Sequence, residues 1–125
     1  MPDNHIHVLV AEDEPLAAEA LAEVLVEGGY RVTVARDGLQ ALACIAAERP
    51  DVLIADLRMP GLSGTELVRG ARLARATLPI VIVTGNPEIW NEATEPEERE
   101  GVTLLEKPVN PYRVLEAVAA AAATA

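Results

Sequence analysis

Cysteine, basic charge and long apolar runs are all scarce in this chain. A single cysteine, Cys44, among 125 residues excludes an internal disulfide and suits a reducing compartment. Cys44 falls inside a helical pattern and reads as a small packing residue. Nine arginines and one lysine stand against 20 acidic residues, and the net charge of −10 removes the basic footprint that a direct nucleic-acid partner requires. No apolar run approaches the roughly 20 residues of a membrane span. No charged segment followed by an apolar one opens the chain, as a secretory leader would. The expectation is a cytoplasmic protein without a membrane partner. Half of the residues are apolar, so the chain has the means to build a core. Its length corresponds to one domain, residues 1–125, able to bury roughly two-thirds of its unfolded surface.

Short apolar, β-branched runs alternate with helical patterns, as in βα units on a parallel sheet. Strands are predicted at residues 6–11, 31–35, 51–56, 79–84 and 102–105. Helices are predicted at residues 14–28, from 37 to just before Pro50, at 64–76, from 86 onward, and from 110 to 122. Pro15 stands in a first turn, where its missing N–H costs nothing. Gly28-Gly29 stops the first helix. Asp37 with Gln40, and Ser63 with Glu66, have capping-box spacing. Asn86-Pro87 and Asn110-Pro111 each read as a cap followed by proline at the first helical position. Pro96 interrupts the fourth helix and makes it short or irregular. The third strand is apolar throughout and reads as central. The fold class is α/β: a doubly wound, five-stranded parallel sheet with right-handed crossovers.

Polar residues of related chemistry follow these runs. Residues 8–11 lead into Glu12-Asp13, 52–55 into Asp56, and 80–83 into Thr84, while 102–105 precede Lys107-Pro108. In a parallel sheet all of them emerge at one edge, outside the carboxyl ends of the strands, where ligands bind. Two carboxylates about 5 Å apart repel by roughly 3 kcal/mol at an effective dielectric near 20. Three together require a cation or a raised pKa. Oxygen donors with no Cys or His nearby favour a hard ion such as Mg²⁺. Asp56 has the chemistry of a carboxylate nucleophile able to form an acyl phosphate. Lys107, the only lysine, offers a compact ammonium, and Thr84 a hydroxyl, to phosphoryl oxygens. Gly85 leaves the pocket open. Solvated loop acids or helix caps would explain each carboxylate singly, but explain the set of three poorly.

Glu12-Asp13, Asp56 with Met59-Pro60 and Gly64 behind it, Thr84-Gly85 and Lys107-Pro108 resemble, in order and spacing, the signature of bacterial response-regulator receiver domains. The resemblance covers essentially the whole chain. It implies a flavodoxin-like three-layer sandwich with strand order 2-1-3-4-5, an order that comes from the family and not from the sequence pattern. It implies that Asp56 accepts a phosphoryl group from a phosphohistidine of a sensor histidine kinase or a histidine phosphotransfer protein. Mg²⁺ is then held by Glu12, Asp13, Asp56 and the backbone carbonyl of Arg58. Thr84 and Lys107 contact the phosphoryl oxygens, and the Lys107–Pro108 bond is cis. Phosphorylation draws Thr84 inward and shifts the surface of the fourth helix, fifth strand and fifth helix. A receiver catalyses its own phosphorylation and dephosphorylation but turns over no separate substrate, so the chain is not expected to be an enzyme in the usual sense. The expectation is a stand-alone switch, monomeric or weakly homodimeric, acting on an unknown downstream protein. A phosphate sink, a phosphorelay intermediate, or a receiver fragment of a larger kinase or regulator is the alternative.

The chain departs from that pattern in two places. Leu104 stands three residues before the lysine, where receivers usually carry a Tyr or Phe that turns inward on activation. The segment after Thr84 is dense in glutamate (Glu88, Glu92, Glu95, Glu97, Glu98, Glu100) and broken by Pro96, so the fourth helix is expected to be short or mobile. The glutamate run reads as a solvated face that would prefer a basic partner. An FMN-binding flavodoxin-type domain is disfavoured, because Glu12-Asp13 would repel a phosphate. An aspartyl Mg²⁺-dependent phosphatase would need an Asp-x-Asp after the first strand, and none is present. His5 and His7 have the i, i+2 spacing of a metal pair but lie at the opposite end of the first strand. Trp90 and Tyr112 read either as packing residues or as partner contacts.

Overall fold

The structure is a computed structural model that describes residues 6–123. Five parallel strands, β1 (His7–Ala11), β2 (Arg31–Ala35), β3 (Val52–Ala55), β4 (Ile80–Thr84) and β5 (Val102–Glu106), form one sheet in the order β2-β1-β3-β4-β5. Helices α1 (Pro15–Glu27), α2 (Gly38–Glu48), α3 (Gly64–Ala74), α4 (Pro87–Ala93) and α5 (Pro111–Ala123) alternate with them. Every residue of the inner strands β1, β3 and β4 is buried, which explains their apolar character apart from His7 and Thr84 at the strand ends. Side chains alternate between the two faces of the sheet. Leu9, Leu53, Ile80 and Ile82 pack with Ile45 of α2, Leu67 of α3 and Trp90 of α4. Val8, Val10, Ile54 and Val81 pack on the other face with Leu25 of α1 and Val114 and Val118 of α5. The result is the three-layer sandwich and strand order that the resemblance implied. No helix among the described residues is long and apolar enough to cross a membrane.

The helix ends show which local readings hold. Glu14 caps α1, its Oε1 accepting from the N–H groups of Leu16 (2.9 Å) and Ala17 (3.2 Å). Ser63 and Glu66 form a reciprocal capping box on α3. Asp37 accepts from the Gln40 N–H at 2.8 Å, but the Gln40 side chain turns to the Arg36 N–H, so the second half of the predicted box is absent. Asn110 caps through its side chain, accepting from the Tyr112 N–H at 2.8 Å. Asn86 does not: no side-chain cap bond is made, and its carbonyl takes the Ile89 N–H instead. With that weak start and Pro96 ahead, α4 is only seven residues long and gives way to a 3₁₀ turn, Pro96–Arg99.

This short segment is tied down by arginines. Arg69 of α3 donates to the Ala93 carbonyl at 2.7 Å and reaches both carboxylate oxygens of Glu98. Its hydrogen bond holds the Glu98 carboxyl down at about 2. Arg99 donates to the carbonyls of Asn91 and Thr94, each at 2.6 Å, and Arg72 to that of Glu100 at 2.8 Å. The glutamate run is therefore partly structural: Glu98, though still open to solvent, is paired with Arg69.

At the amino edge of the sheet, His7 is buried within a directed chain of hydrogen bonds. Arg31 has only donors, so its contact with Nδ1 (3.1 Å) makes that nitrogen the acceptor. Nε2 then donates to Thr33 Oγ1 at 2.7 Å, and the Thr33 hydroxyl donates to Glu48 at 3.1 Å. With both ring nitrogens engaged, His7 has no lone pair for a metal. His5, the other member of that candidate pair, lies outside the described residues.

Candidate functional site

The register of the sheet builds the opposite, carboxyl edge. Ala11 pairs with Ala55, so Glu12 and Asp56 leave β1 and β3 side by side. The backbone bonds Glu12 N–H to Ala35 O (3.0 Å) and Asp56 N–H to Ala11 O (3.4 Å) carry the ladder just past the strands and aim both acids outward. Thr84 pairs with Glu106, and the Lys107 N–H donates to the Thr84 carbonyl at 2.8 Å, which fixes Lys107 beside the end of β4. The following Lys107–Pro108 bond is cis, as the resemblance implied.

Asp56 is buried and both of its carboxylate oxygens are engaged. Oδ2 accepts from Lys107 Nζ at 2.6 Å, and Oδ1 from the Arg58 N–H at 3.1 Å. The loop beyond it is compressed against the first residue of α3. A methyl group on Gly64 would lie 2.4 Å from the Asp56 carbonyl oxygen and 2.6 Å from Leu57 Cα, so only glycine fits. Glu12 is half-buried, with Oε2 accepting from the Glu14 N–H at 3.1 Å and Oε1 a long 3.7 Å from Lys107 Nζ. Burial raises its pKa, and the charges of Asp56 and Asp13 push the same way against the pull of the Glu14 N–H and of Lys107. Burial alone would lower the Lys107 pKa; the hydrogen bond and charge of Asp56, with Glu12 behind it, outweigh that and hold it above its ordinary value.

The structure thus brings Glu12, Asp56 and Lys107 into one cluster. Asp13 shares the edge but its side chain is exposed. Among the described residues, no three His, Cys, Asp or Glu side chains stand close enough to hold a metal ion between them. The cation that offsets the crowded carboxylates here is the Lys107 ammonium. The donors nevertheless suit a hard cation: all are oxygens, and Glu12 Oε1 has only its distant lysine partner. Arg58 contributes its N–H to Asp56, and the metal role of its carbonyl rests on the resemblance alone. Thr84 is buried, and its Oγ1 accepts from the Asn86 N–H at 3.0 Å, which leaves the hydroxyl hydrogen to be donated.

Other candidates separate cleanly. Trp90 is buried in the core, so it reads as packing. Tyr112 is exposed and donates to Glu27 at 3.3 Å. The half-buried Cys44 packs against the α2–α3 core, and burial raises its thiol pKa away from reactivity. Sequence reasoning missed Glu14, which caps α1 and also steadies Glu12 through its N–H. Its place just before Pro15 was the available signal.

A profile of the family described as the response regulator receiver domain matches residues 8–119. The response regulator MprA of Mycobacterium ulcerans (strain Agy99) is 38% identical over 84 residues, which are 67% of this chain and 36% of that protein. The chain therefore spans little more than a third of the length of the curated relatives it matches. Among solved structures, the chemotaxis response regulator CheY4 of Vibrio cholerae superposes with a TM-score of 0.83 at 30% identity, over 94% of this chain and 99% of that one. The receiver domain of the Francisella response regulator 1452 gives a TM-score of 0.84 at 27% identity, over 96% and 98%. The response regulator TrrA of Thermotoga maritima, solved in a complex with Mg²⁺ and BeF, gives 0.81 at 28%, over 92% and 97%.

Proposed function

This chain belongs to the response regulator receiver domain family of two-component signalling, and from that premise we propose that Asp56 is its phosphoacceptor. The observation that carries the reading is the 2.6 Å contact of the only lysine with a buried aspartate at the carboxyl edge of a parallel sheet. The donor is a phosphohistidine of a sensor histidine kinase or of a histidine phosphotransfer protein. An Asp56 carboxylate oxygen attacks phosphorus, the P–N bond breaks, and the imidazole leaves, taking up a proton. The Arg58 N–H keeps the carboxylate oriented through the attack. Lys107 passes from the carboxylate to a phosphoryl oxygen, where a point charge suits the developing negative charge. Thr84 has a hydroxyl hydrogen to donate to another phosphoryl oxygen from the end of the adjacent strand.

Glu12, Asp13 and Asp56, with the Arg58 carbonyl, are the residues that would hold Mg²⁺, which when bound supplies positive charge to the phosphoryl oxygens. The chain turns over no separate substrate; it catalyses only its own phosphorylation and the hydrolysis of its acyl phosphate. It works in the cytoplasm, as a monomer or weak homodimer, and hands its signal to a downstream protein through α4, β5 and α5.

Incubation with Mg²⁺ and a small acyl-phosphate donor adds one phosphate to the protein, and Asp56→Asn abolishes it. Undiminished labelling of that variant would overturn the assignment. A second reading, a phosphate sink whose output face stays still, is favoured by Leu104, which is half-buried in β5 where a ring would turn. In that case amide shifts on phosphorylation are large around Thr84 and small along β5; large shifts along the whole of β5 would exclude it.

A further inference from the structure

Helix α4 cannot sustain itself. Its seven residues leave only about three i→i−4 bonds, and isolated helices of fewer than about 12 residues are marginal in water. Its amino end has no side-chain cap, and the N–H of Asn86, just ahead of it, donates to Thr84 Oγ1 at 3.0 Å. Its carboxyl end is held by side chains from beyond the helix. Thr94 donates to the Trp90 carbonyl at 2.6 Å, Arg99 to that of Asn91 at 2.6 Å and Arg69 to that of Ala93 at 2.7 Å, so three of the last four carbonyls, which a helix leaves without partners, are taken. Thr94 and Arg99 belong to the segment that follows α4 and move with it. Arg69 belongs to α3 and fastens that end to the body of the domain. Its Nε and Nη2 also reach the two oxygens of Glu98, at 2.7 and 3.2 Å. Glu98 Oε1 in turn accepts the Glu95 N–H at 3.0 Å and closes the 3₁₀ turn. One guanidinium therefore brackets the end of α4 and the turn after it. The pair is open to solvent, with the Arg69 side chain 50% and that of Glu98 31% exposed, so it can part without unpacking the core.

We propose that Arg69 and Glu98 form a latch that sets whether α4 is folded against the sheet or released, and so governs the signalling face from α3, outside that face. Closed, the latch supplies the partners that a seven-residue helix lacks at its carboxyl end. Open, α4 keeps the buried Trp90 as its anchor and the link from Asn86 to Thr84. That link runs to the phosphoacceptor edge. A Thr84 hydroxyl drawn toward Asp56 pulls on the Asn86 N–H, at the amino end of a helix whose other end is fastened to α3. The latch opposes that movement, and opening it raises the population in which Thr84 is drawn in. Leu104 has no ring to carry the change along β5, whereas α4 carries it by its own order. This regulatory role rests on the reading of Asp56 as phosphoacceptor; the latch does not, because it is measured without phosphodonor.

Trp90, the only tryptophan of the chain, is a built-in reporter of α4. Acrylamide quenching of its fluorescence and hydrogen exchange of amides 90–93 are compared in wild type, Glu98→Gln, Arg69→Gln and Arg69→Lys. Lysine keeps the charge but cannot bracket the Ala93 carbonyl and both Glu98 oxygens together. All three variants are expected to exchange these amides about tenfold faster and to be quenched more readily, with the amides of β1 and β3 exchanging as in wild type. Wild-type exchange in Arg69→Gln and Glu98→Gln would overturn the proposal. So would a lysine variant that matches wild type, since charge alone would then suffice, or exchange accelerated equally in β1 and β3, which would mean general destabilisation. Labelling with acetyl phosphate and Mg²⁺ reads the regulatory role. Glu98→Gln and Arg69→Gln are expected to take up phosphate roughly threefold faster than wild type, and an unchanged rate would overturn that role. A wild type that takes up no phosphate would remove the Asp56 assignment instead, and the exchange comparison would still decide the latch.

Discussion

Replacing Gly64 by alanine tests the packing that positions Asp56. The new methyl would meet backbone atoms only, the Asp56 carbonyl oxygen at 2.4 Å, Leu57 Cα at 2.6 Å and the Asp56 carbonyl carbon at 3.0 Å. None of these can rotate aside, so the loop or the start of α3 has to shift. The Gly64 N–H to Leu57 carbonyl bond, 3.0 Å, is strained in the process. Overpacking of this kind costs about 1–3 kcal/mol. Gly64 has an ordinary negative φ, so alanine also stiffens the unfolded chain and returns about 0.4–1 kcal/mol. The net loss is about 0–2.6 kcal/mol, about 1.3 at the centre of the range, and at roughly 3–6 °C per kcal/mol for a chain of this size that central value lowers the melting temperature by several degrees. The shift is transmitted directly to the backbone of Asp56, so phosphorylation is expected to slow by about tenfold or more, since misplacement approaching 1 Å costs up to about a hundredfold. Urea melts and the rate of labelling by a small acyl-phosphate donor measure both effects. Gly85→Ala is the control: nothing lies within 4 Å of its new methyl, and it is expected to stay within about 0.5 kcal/mol of wild type. A Gly64→Ala variant as stable and as readily labelled as wild type would refute the argument.

Mg²⁺ at a hundredfold excess over its dissociation constant is expected to stabilise the fold by about 2.7 kcal/mol, because the Glu12 and Asp56 charges are crowded and only Lys107 offsets them; a melting curve indifferent to Mg²⁺ would count against the site. His7 gives a pH dependence of known sign. Burial first, and Arg31 second, lower its pKa from 6.5, against the opposing pull of Glu48 and Asp51. The unfolded chain therefore takes up the proton first, so this stabilisation is complete above about pH 6.5 and is lost as pH falls through the lower, folded value. The urea midpoint of His7→Gln is expected to fall less than that of wild type between about pH 7 and pH 5, and parallel pH profiles would contradict the assignment of His7 as a buried neutral base.

The inner strands were legible because a strand covered on both faces must be apolar throughout, as residues 52–55 and 80–83 are. The site was legible in part for a related reason: parallel strands deliver their carboxyl ends to one edge, which places Glu12, Asp56, Thr84 and Lys107 there without pairing information, whereas their meeting depends on the strand order, which the family resemblance supplied. What escaped were features decided by two elements at once. Gln40 has the spacing of a capping-box partner, but the Arg36 N–H was a competing donor. The glutamates after Thr84 look like a uniformly solvated run until Arg69 of α3 is seen to pair with the Glu98 carboxylate and Arg72, three residues on, to hold the Glu100 backbone carbonyl.

The two edges of the sheet divide stability from chemistry. At the amino edge each polar group is committed: Arg31 to His7, His7 to Thr33, Thr33 to Glu48, and Asp51 to the His7 N–H at 2.8 Å. Such a chain has one arrangement and nothing left to offer a ligand. At the carboxyl edge the commitments are reversible. Asp56 is held by a backbone N–H and by a lysine whose side chain is 37% exposed, Glu12 has a distant cation, and Thr84 retains a hydrogen to donate. A buried strand cannot carry spare hydrogen-bonding capacity along its length without large cost. The capacity therefore collects at the strand ends, and the end where it is left incompletely matched is the one proposed to receive a phosphoryl group.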